Sequence, residues 1–264
     1  PRDLHSFPTR RSSDLIEDLS FLEWLYLKIR ITGMSNPDTK YVMIDEVQDY
    51  TTAQLAILSR YFRRANFLLL GDENQAIKPG TASFDEIRHE FEATRGEVSE
   101  CHLMTSYRST PAITELFAKL AITADGMQIS SVQRADTEPE FHECATESEY
   151  IQNLVQAARE SKELKGTTAF VALNAEAATH TAQLLGDDSP ALIGEGDTLP
   201  NSGSILLALP LAKGLEFDHV VIVNASKEDF PDNDLSRRRL YTAISRATST
   251  VSIFSNGELS PLLK

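Results

Sequence analysis

The sequence predicts an α/β protein built on parallel sheets, and three observations predict it. Two four-residue apolar runs, Tyr41-Val42-Met43-Ile44 and Phe67-Leu68-Leu69-Leu70, are short and bounded by polar residues. That is the pattern of buried parallel strands. Each run gives way abruptly to turn-forming residues, Asp45-Glu46 in the first case and Gly71-Asp72 in the second. Between the runs, apolar residues recur at helical spacing, as Leu55, Leu58 and Phe62 do.

Composition bounds the rest. The 264 residues suffice for one large domain or two ordinary ones, and an apolar fraction of 41% is enough for real cores. The formal charge of −14 argues against a broad grip on phosphate backbones but leaves room for a local basic groove. The 2 cysteines, Cys101 and Cys144, are far apart and form no CxxC. They are expected to be reduced thiols of a cytosolic protein rather than metal ligands or a disulfide. No apolar stretch reaches membrane-spanning length.

Residues 1–15 stand apart. His5–Leu15, HSFPTRRSSDL, has no apolar period and resembles the translation of a widely used sequencing-adapter oligonucleotide. The expectation is an assembly scar, or else a disordered basic arm. A scar implies that protein N-terminal to residue 16 is missing. Ile16–Ile31 reads as a helix on the spacing of Leu19, Leu22, Leu25 and Ile29, with Trp24 and Tyr26 widening the apolar face. Gly33 and Asn36-Pro37 stop it. Thr51 or Thr52 caps a helix to about Phe62. Phe84–Phe91 is expected to be helical and Thr94–Glu100 a loop. Ser109-Thr110-Pro111 opens a helix with proline in its first turn. Further on, the sequence predicts helices over Glu149–Lys162 and Glu176–Leu185 and strands over Thr167–Leu173, Ser204–Leu209, His219–Val223 and Thr250–Phe254. Gly186–Ser204 is expected to be loop, and Arg237–Arg239 to open a helix that carries Arg246.

Several polar residues sit where chemistry could occur. In open α/β sheets ligands gather outside the carboxyl ends of strands. Asp45 and Glu46 stand there: one carboxylate could serve Mg²⁺ and its neighbour could orient a water. An acidic strand-to-helix turn accounts for the pair equally well. The Gln75 amide can donate to a phosphate oxygen and accept from a water. Arg108, at the mouth of a helix, could reach a phosphate, although a surface ion pair is the commoner fate of an arginine. Gly214 permits close backbone approach, and Glu216 can hydrogen-bond ribose hydroxyls. A buried Arg246 would need an anion partner.

Taken in order, YVMIDEVQD (41–49), GDENQ (71–75), SYRS (106–109), AKGLEFD (212–218) and LYTAISRA (240–247) resemble motifs II to VI of superfamily 1 helicases of the UvrD/Rep type. The resemblance covers roughly residues 16–262. It implies RecA-like P-loop NTPase lobes: the C-terminal part of a first lobe at 16–100 and a complete second lobe at 101–264, with ATP in the cleft between them. On that resemblance Asp45 would hold Mg²⁺, Glu46 would activate the attacking water and Gln75 would sense the γ-phosphate. Arg108 and Arg246 would act as arginine fingers. Gly214 and Glu216 would contact the nucleotide, Glu216 at its ribose. Gln48 and Asp49 would link the nucleotide and nucleic-acid sites.

The chain also departs from that pattern. Lys78-Pro79-Gly80 replaces the aromatics that usually follow Gln75 and stack on bases, and Ala208 and Pro210 replace a threonine and a histidine. Little room remains between Arg108 and Lys213 for a large inserted subdomain. No GxxxxGK[ST] phosphate loop occurs in the sequence, so the chain by itself is expected to bind ATP poorly. The blocks look closest to the HelD-like branch, motors that release stalled RNA polymerase. That implies RNA polymerase as partner. A DNA-translocating helicase is the alternative, and a non-catalytic fragment or binding module the third reading.

Overall fold

The computed structural model describes residues 20–103, 105–106, 108–122, 130–131 and 137–264. Residues 1–15, the expected helix start at Ile16–Leu19, and Tyr107 of the SYRS block lie outside the described residues. The chain forms two compact units. Unit 1 takes the chain up to residue 73 and again from 80 to 100; unit 2 takes 74–79 and 101–264.

Unit 1 is built on two parallel strands, β1 (Tyr41–Ile44) and β2 (Asn66–Leu69), with Ile44 opposite Leu69. Before them runs α1 (Phe21–Thr32), started by a Ser20–Glu23 capping box and ended by Gly33 in the left-handed conformation. Then α2 (Thr52–Tyr61) starts on a Thr51–Gln54 capping box and α3 (Phe84–Arg95) on a Ser83–Glu86 box. Val42, Ile44, Phe67 and Leu69 face Leu55, Ile87 and Phe91 of the two helices, and this is the unit's core. The opposite sheet face differs from the sequence expectation. Tyr41 is 75% exposed and Met43 68%, and Leu68 and Leu70 are exposed too. Both strands are therefore buried on one face only, because strand side chains alternate and the described helices cover a single side. The second difference is the length of α3, which runs past Phe91 to Arg95, into the start of the loop expected at Thr94–Glu100. That residue gives the reason: its guanidinium donates to the carbonyls of Ser59, Phe62, Arg63 and Ala65 around the end of α2, and lies 4.5 Å over the Phe67 ring. It supplies donors to carbonyls that a helix C-terminus leaves unpaired.

Unit 2 centres on an all-parallel six-stranded sheet, in the order β5 (Glu140–Cys144), β10 (Ala247–Asn256), β9 (Phe217–Ile222), β6 (Thr167–Ala172), β8 (Gly203–Ala208) and β7 (Ala191–Ile193). β3 (Thr105–Ser106) and β4 (Ser130–Ser131) make a separate two-stranded ladder. Helix α4 (Pro111–Leu120) and, late in the chain, α8 (Asp234–Ile244) cover one face. There Ile113, Phe117, Leu240 and Ile244 pack on Ala169, Val171, Leu207, Val220 and Ile253. α5 (Glu147–Glu160) and α6 (Ala175–Leu185) cover the other, placing Tyr150, Leu154 and Ala178 on Phe170, Leu206, Val221 and Phe254. Alternate residues of β6 thus serve opposite cores. Each fully buried leucine or phenylalanine here contributes about 1.5–3 kcal/mol of transfer free energy. A short helix, α7 (Leu209–Ala212), leads from β8 towards β9. Strands β5 and β7 were not expected. β5, Glu140-Phe141-His142-Glu143-Cys144, carries too much charge to read as a strand, and β7 falls in the stretch expected to be loop. Among the described residues, no helix is long and apolar enough to cross a membrane.

One half-buried carboxylate of unit 2 runs against stability. Burial pushes the Asp229 carboxyl up, its neighbour Glu228 adds to that, and the 2.7 Å hydrogen bond from Asn224 Nδ2 only partly opposes it. A folded pKa above the unfolded one means stability that is fully present below the unfolded value, about 3.9, and is lost as pH rises through the folded value. Asp229→Asn keeps an acceptor for Asn224 and removes the charge. Urea unfolding should show the variant more stable than wild type at pH 7, with the gap closing towards pH 4; a gap that widens on acidification would refute the assignment.

Candidate functional site

In unit 1 the site is the turn that follows β1. The parallel ladder runs on past the strand ends, since Leu70 N–H donates to Ile44 O at 2.8 Å and Val47 N–H to Leu70 O at 2.9 Å. Between those two bonds the chain must turn within two residues. Asp45 is exposed, and its Oδ1 accepts the Glu46 N–H at 2.9 Å. Glu46 takes φ 52°, the one positive φ of a non-glycine among the described residues. A left-handed residue with a Cβ costs about 1–2 kcal/mol, so the surroundings must hold it there. A 3₁₀ turn, Val47–Asp49, follows and carries Gln48 inward until it is fully buried. Its Nε2 donates to Glu46 Oε2, and its Oε1 accepts the Asp72 N–H at 3.1 Å. Gly71 makes room for this arrangement: a Cβ there would lie 2.3 Å from Gln48 Oε1 and 2.9 Å from Val47 Cγ1.

In unit 2 the site residues gather at the amino edge of the sheet. Glu216 immediately precedes β9 and Arg246 immediately precedes β10, its parallel neighbour. The expected placement of Arg246 on the helix opened by Arg237–Arg239 fails: α8 ends at Ile244, Ser245 is its C-cap, and Arg246 sits in the turn. Arg246 is only 4% exposed. Its guanidinium donates to Thr242 O (3.2 Å), Leu215 O (3.3 Å), Ser245 Oγ (3.1 Å) and Gln75 Oε1 (3.0 Å). Gln75 reaches it because residues 74–79 belong to this unit. Ile77 is 4% exposed within the unit's core, and Asn74 Oδ1 accepts the Ile122 N–H at 2.6 Å. Gly214, at φ +79°, forms the bend before Leu215 and Glu216. Glu216 pairs with Arg108, Nε to Oε1 at 2.8 Å, both side chains being well exposed. Ser109, the next residue, is buried and donates through Oγ to Ala247 O at 2.7 Å, which ties the Arg108 turn to the start of β10.

Unit 1 thus brings Asp45 and Glu46 to one turn, and unit 2 brings together Arg246 with Gln75 and Arg108 with Glu216. Sequence reasoning missed Gln48 as a support of Glu46. The signal it could have used is Gly71, the glycine that follows β2.

Residues 16–77 match the UvrD/REP helicase N-terminal domain, and residues 210–254 match the UvrD-like helicase C-terminal domain. These matches support a superfamily 1 helicase of the UvrD/Rep type. The first segment contains Asp45, Glu46 and Gln75, the second Gly214, Glu216 and Arg246; Arg108 lies outside both. The chain is also similar to the ATP-dependent DNA helicases UvrD2 of Mycobacterium bovis and Mycobacterium tuberculosis, at 28% identity over 112 residues. That stretch is 40% of this chain and only 16% of theirs. Among solved structures, the C-terminal domain of a possible DNA helicase from Lactobacillus plantarum WCFS1 is similar at 28% identity and TM-score 0.50, over 60% of this chain and 92% of that one. Dbp5 of S. cerevisiae, solved bound to RNA and ADP BeF3, matches at 13% identity and TM-score 0.51, over 87% of this chain and 56% of that one, which shows the fold alone.

The Gln48 contact makes a stability prediction that needs no nucleotide. Glu46→Ala leaves the buried Gln48 amide donor without that acceptor, at a cost of about 1–3 kcal/mol. Glu46→Gln keeps an oxygen in place and should stay within about 1 kcal/mol of wild type. Trp24, the 1 tryptophan of the chain, lies on α1 of unit 1 and reports its unfolding. Urea titration followed by its fluorescence should rank wild type and Glu46→Gln together, above Glu46→Ala. Equal losses in both variants would contradict the contact.

Proposed function

We propose that this chain is part of an ATP-driven superfamily 1 helicase-like motor of the HelD type, which uses Mg²⁺-dependent ATP hydrolysis to remodel or release RNA polymerase. The observation that carries the catalytic part is the convergence in unit 2. Arg246 meets Gln75 at 3.0 Å and Arg108 meets Glu216 at 2.8 Å, and these four residues lie in separate sequence blocks. The sequence holds no GxxxxGK[ST] loop, so the reading places this chain within a longer protein that supplies one.

The residues present fit a nucleotide with its metal. Among the described residues, no group of three or more His, Cys, Asp or Glu side chains could hold a metal alone. Mg²⁺ is ordinarily bound by one or two carboxylates together with substrate phosphates. Asp45, exposed at the end of β1, suits that role and no stricter one. Bound there with the nucleotide, Mg²⁺ would neutralise charge on the phosphate oxygens. Glu46 would take the proton of the attacking water onto its carboxylate. Arg108 and Glu216 form an exposed pair, worth about 0–1 kcal/mol. The guanidinium could therefore exchange its carboxylate for a phosphate, and Glu216 could turn to a ribose hydroxyl, at little cost. Arg246 is held by carbonyls with its fork towards Gln75. An oxygen arriving at Gln75 is positioned to receive both the amide and the guanidinium.

The polymerase assignment is supported by what the chain puts in place of nucleic-acid contacts. Lys78, Pro79 and Gly80 stand where a base-stacking platform is expected, so one source of single-strand affinity is missing. Ala208 is buried at the end of β8, where it presents no polar group. The net charge of −14 disfavours wide backbone contact. One observation favours the alternative of a DNA-translocating helicase: the UvrD2 relatives are named ATP-dependent DNA helicases.

The intact protein should hydrolyse ATP with Mg²⁺. Glu46→Gln should abolish turnover with nucleotide binding largely kept, because the lost interaction is made only in the transition state. Arg246→Ala should slow hydrolysis by roughly 10³-fold or more, the scale of an arginine finger. RNA polymerase should co-purify, and single-stranded DNA should barely raise the rate. Strong DNA-stimulated unwinding without polymerase association would favour the alternative, and near-normal turnover in Glu46→Gln would sink the catalytic reading.

A further inference from the structure

We infer that Gln48 is a positioning residue for Glu46, and that Gly71 is a glycine because Gln48 occupies the space a Cβ would fill. The inference rests on the proposed role of Glu46 as the group that takes the water's proton. A buried primary amide has two donors and an acceptor to satisfy. Gln48 is fully buried, spends a donor on Glu46 Oε2 and uses its oxygen to accept the Asp72 N–H at 3.1 Å. The Asp72 amide belongs to the backbone just after β2, so Gln48 is anchored to the frame of the sheet rather than to a mobile side chain. Holding Oε2 fixes the plane of the Glu46 carboxylate and hence the direction in which Oε1 presents its lone pairs. It also restrains a residue whose backbone, at φ 52°, is otherwise unfavourable. Proton transfer in a transition state depends steeply on such placement, and a misplacement of about 1 Å can cost about 100-fold.

Gly71 is not in the left-handed region, so its backbone alone does not call for glycine. The space does: a Cβ would sit 2.3 Å from Gln48 Oε1, on the side where that oxygen meets Asp72 N–H. A side chain at 71 meets Gln48 first, at 2.3 Å, and Val47 Cγ1 next, at 2.9 Å, so it displaces Gln48 from its contacts.

Two readouts test this, one without nucleotide. In the chain itself, amide exchange at Asp72 should rise roughly tenfold in Gln48→Met, the equivalent of one hydrogen bond, and similarly in Gly71→Ala. In the intact protein, both variants should lose about 100-fold in kcat with KM for ATP little changed. The double variant Gly71→Ala/Gln48→Ala removes the closest clash and leaves the 2.9 Å approach to Val47 Cγ1. Thermal stability should recover in part relative to Gly71→Ala while kcat stays low; a kcat that recovers along with stability would show Gln48 to be packing only and overturn the inference. Glu46→Gln, measured alongside, separates the two claims. Full turnover in Glu46→Gln overturns the role of Glu46 itself and the positioning with it. An inactive Glu46→Gln beside a Gln48→Met that turns over like wild type overturns the positioning alone.

Discussion

The buried guanidinium of Arg246 is the constraint on which the arrangement of unit 2 depends. Arginine cannot shed its charge in a protein, and its five N–H groups point in fixed directions. Placed at 4% exposure in the turn between α8 and β10, it would cost several kcal/mol if those groups found nothing. The fold answers from four sides: the last turn of α8, the C-cap serine, the backbone just before β9, and Gln75. The carbonyl of Arg246 in turn accepts the Phe217 N–H at 3.0 Å, which sets where β9 and β10 begin to pair. One side chain therefore fixes the Gly214–Glu216 bend, the end of a helix and the start of two strands. Gln75, which follows β2 in sequence, is held by the same fork.

The account of unit 1 is a smaller version of the same logic. Its polar centre is Gln48, and the constraint there is a left-handed Glu46 that must be kept where a strand ends. Strain at such a point is tolerated because the ladder bonds of Val47 and Leu70 bracket it. In unit 1 a buried amide holds an acidic group in a set direction, and in unit 2 backbone carbonyls, Ser245 and Gln75 hold a buried guanidinium. That is the kind of support that chemistry at a phosphate requires of a scaffold.

Much of the fold is legible in the sequence because it depends on local patterns. The cap at Thr51, the proline in the first turn of α4 and the apolar runs of β1, β2, β6 and β8 place those elements to within a few residues. What was not legible depends on tertiary partners. β5 is a charged edge strand whose pairing with β10 outweighs its composition. α3 outlasts its apolar period because Arg95 finds the end of α2. The pattern shows that Tyr41 and Met43 are apolar, but not that one sheet face of the described unit stays open. For the site, residue types at strand ends pointed to Asp45, Glu46 and Gln75. The burial of Gln48 was harder to read, since within an acidic turn its amide looks like a surface group. Only the left-handed Glu46 and the 3₁₀ turn that follows bring it inside.

These pieces make one physical claim. Under the proposed function, an acidic turn in unit 1 and a basic edge in unit 2, differently supported, would serve one nucleotide. The charge of the whole chain is negative, so the guanidinium groups of Arg108 and Arg246 stand out as placed cations rather than as part of a basic surface. The most direct measurement is a crystal structure of the intact protein with Mg²⁺ and an ADP–aluminium fluoride transition-state analogue. The account predicts Asp45 on the metal, Glu46 on the attacking water, Gln75, Arg108 and Arg246 on the fluoride group, and Glu216 released from Arg108 to the ribose. An analogue bound away from Arg246, with the Arg246–Gln75 and Arg108–Glu216 pairs intact, would contradict it.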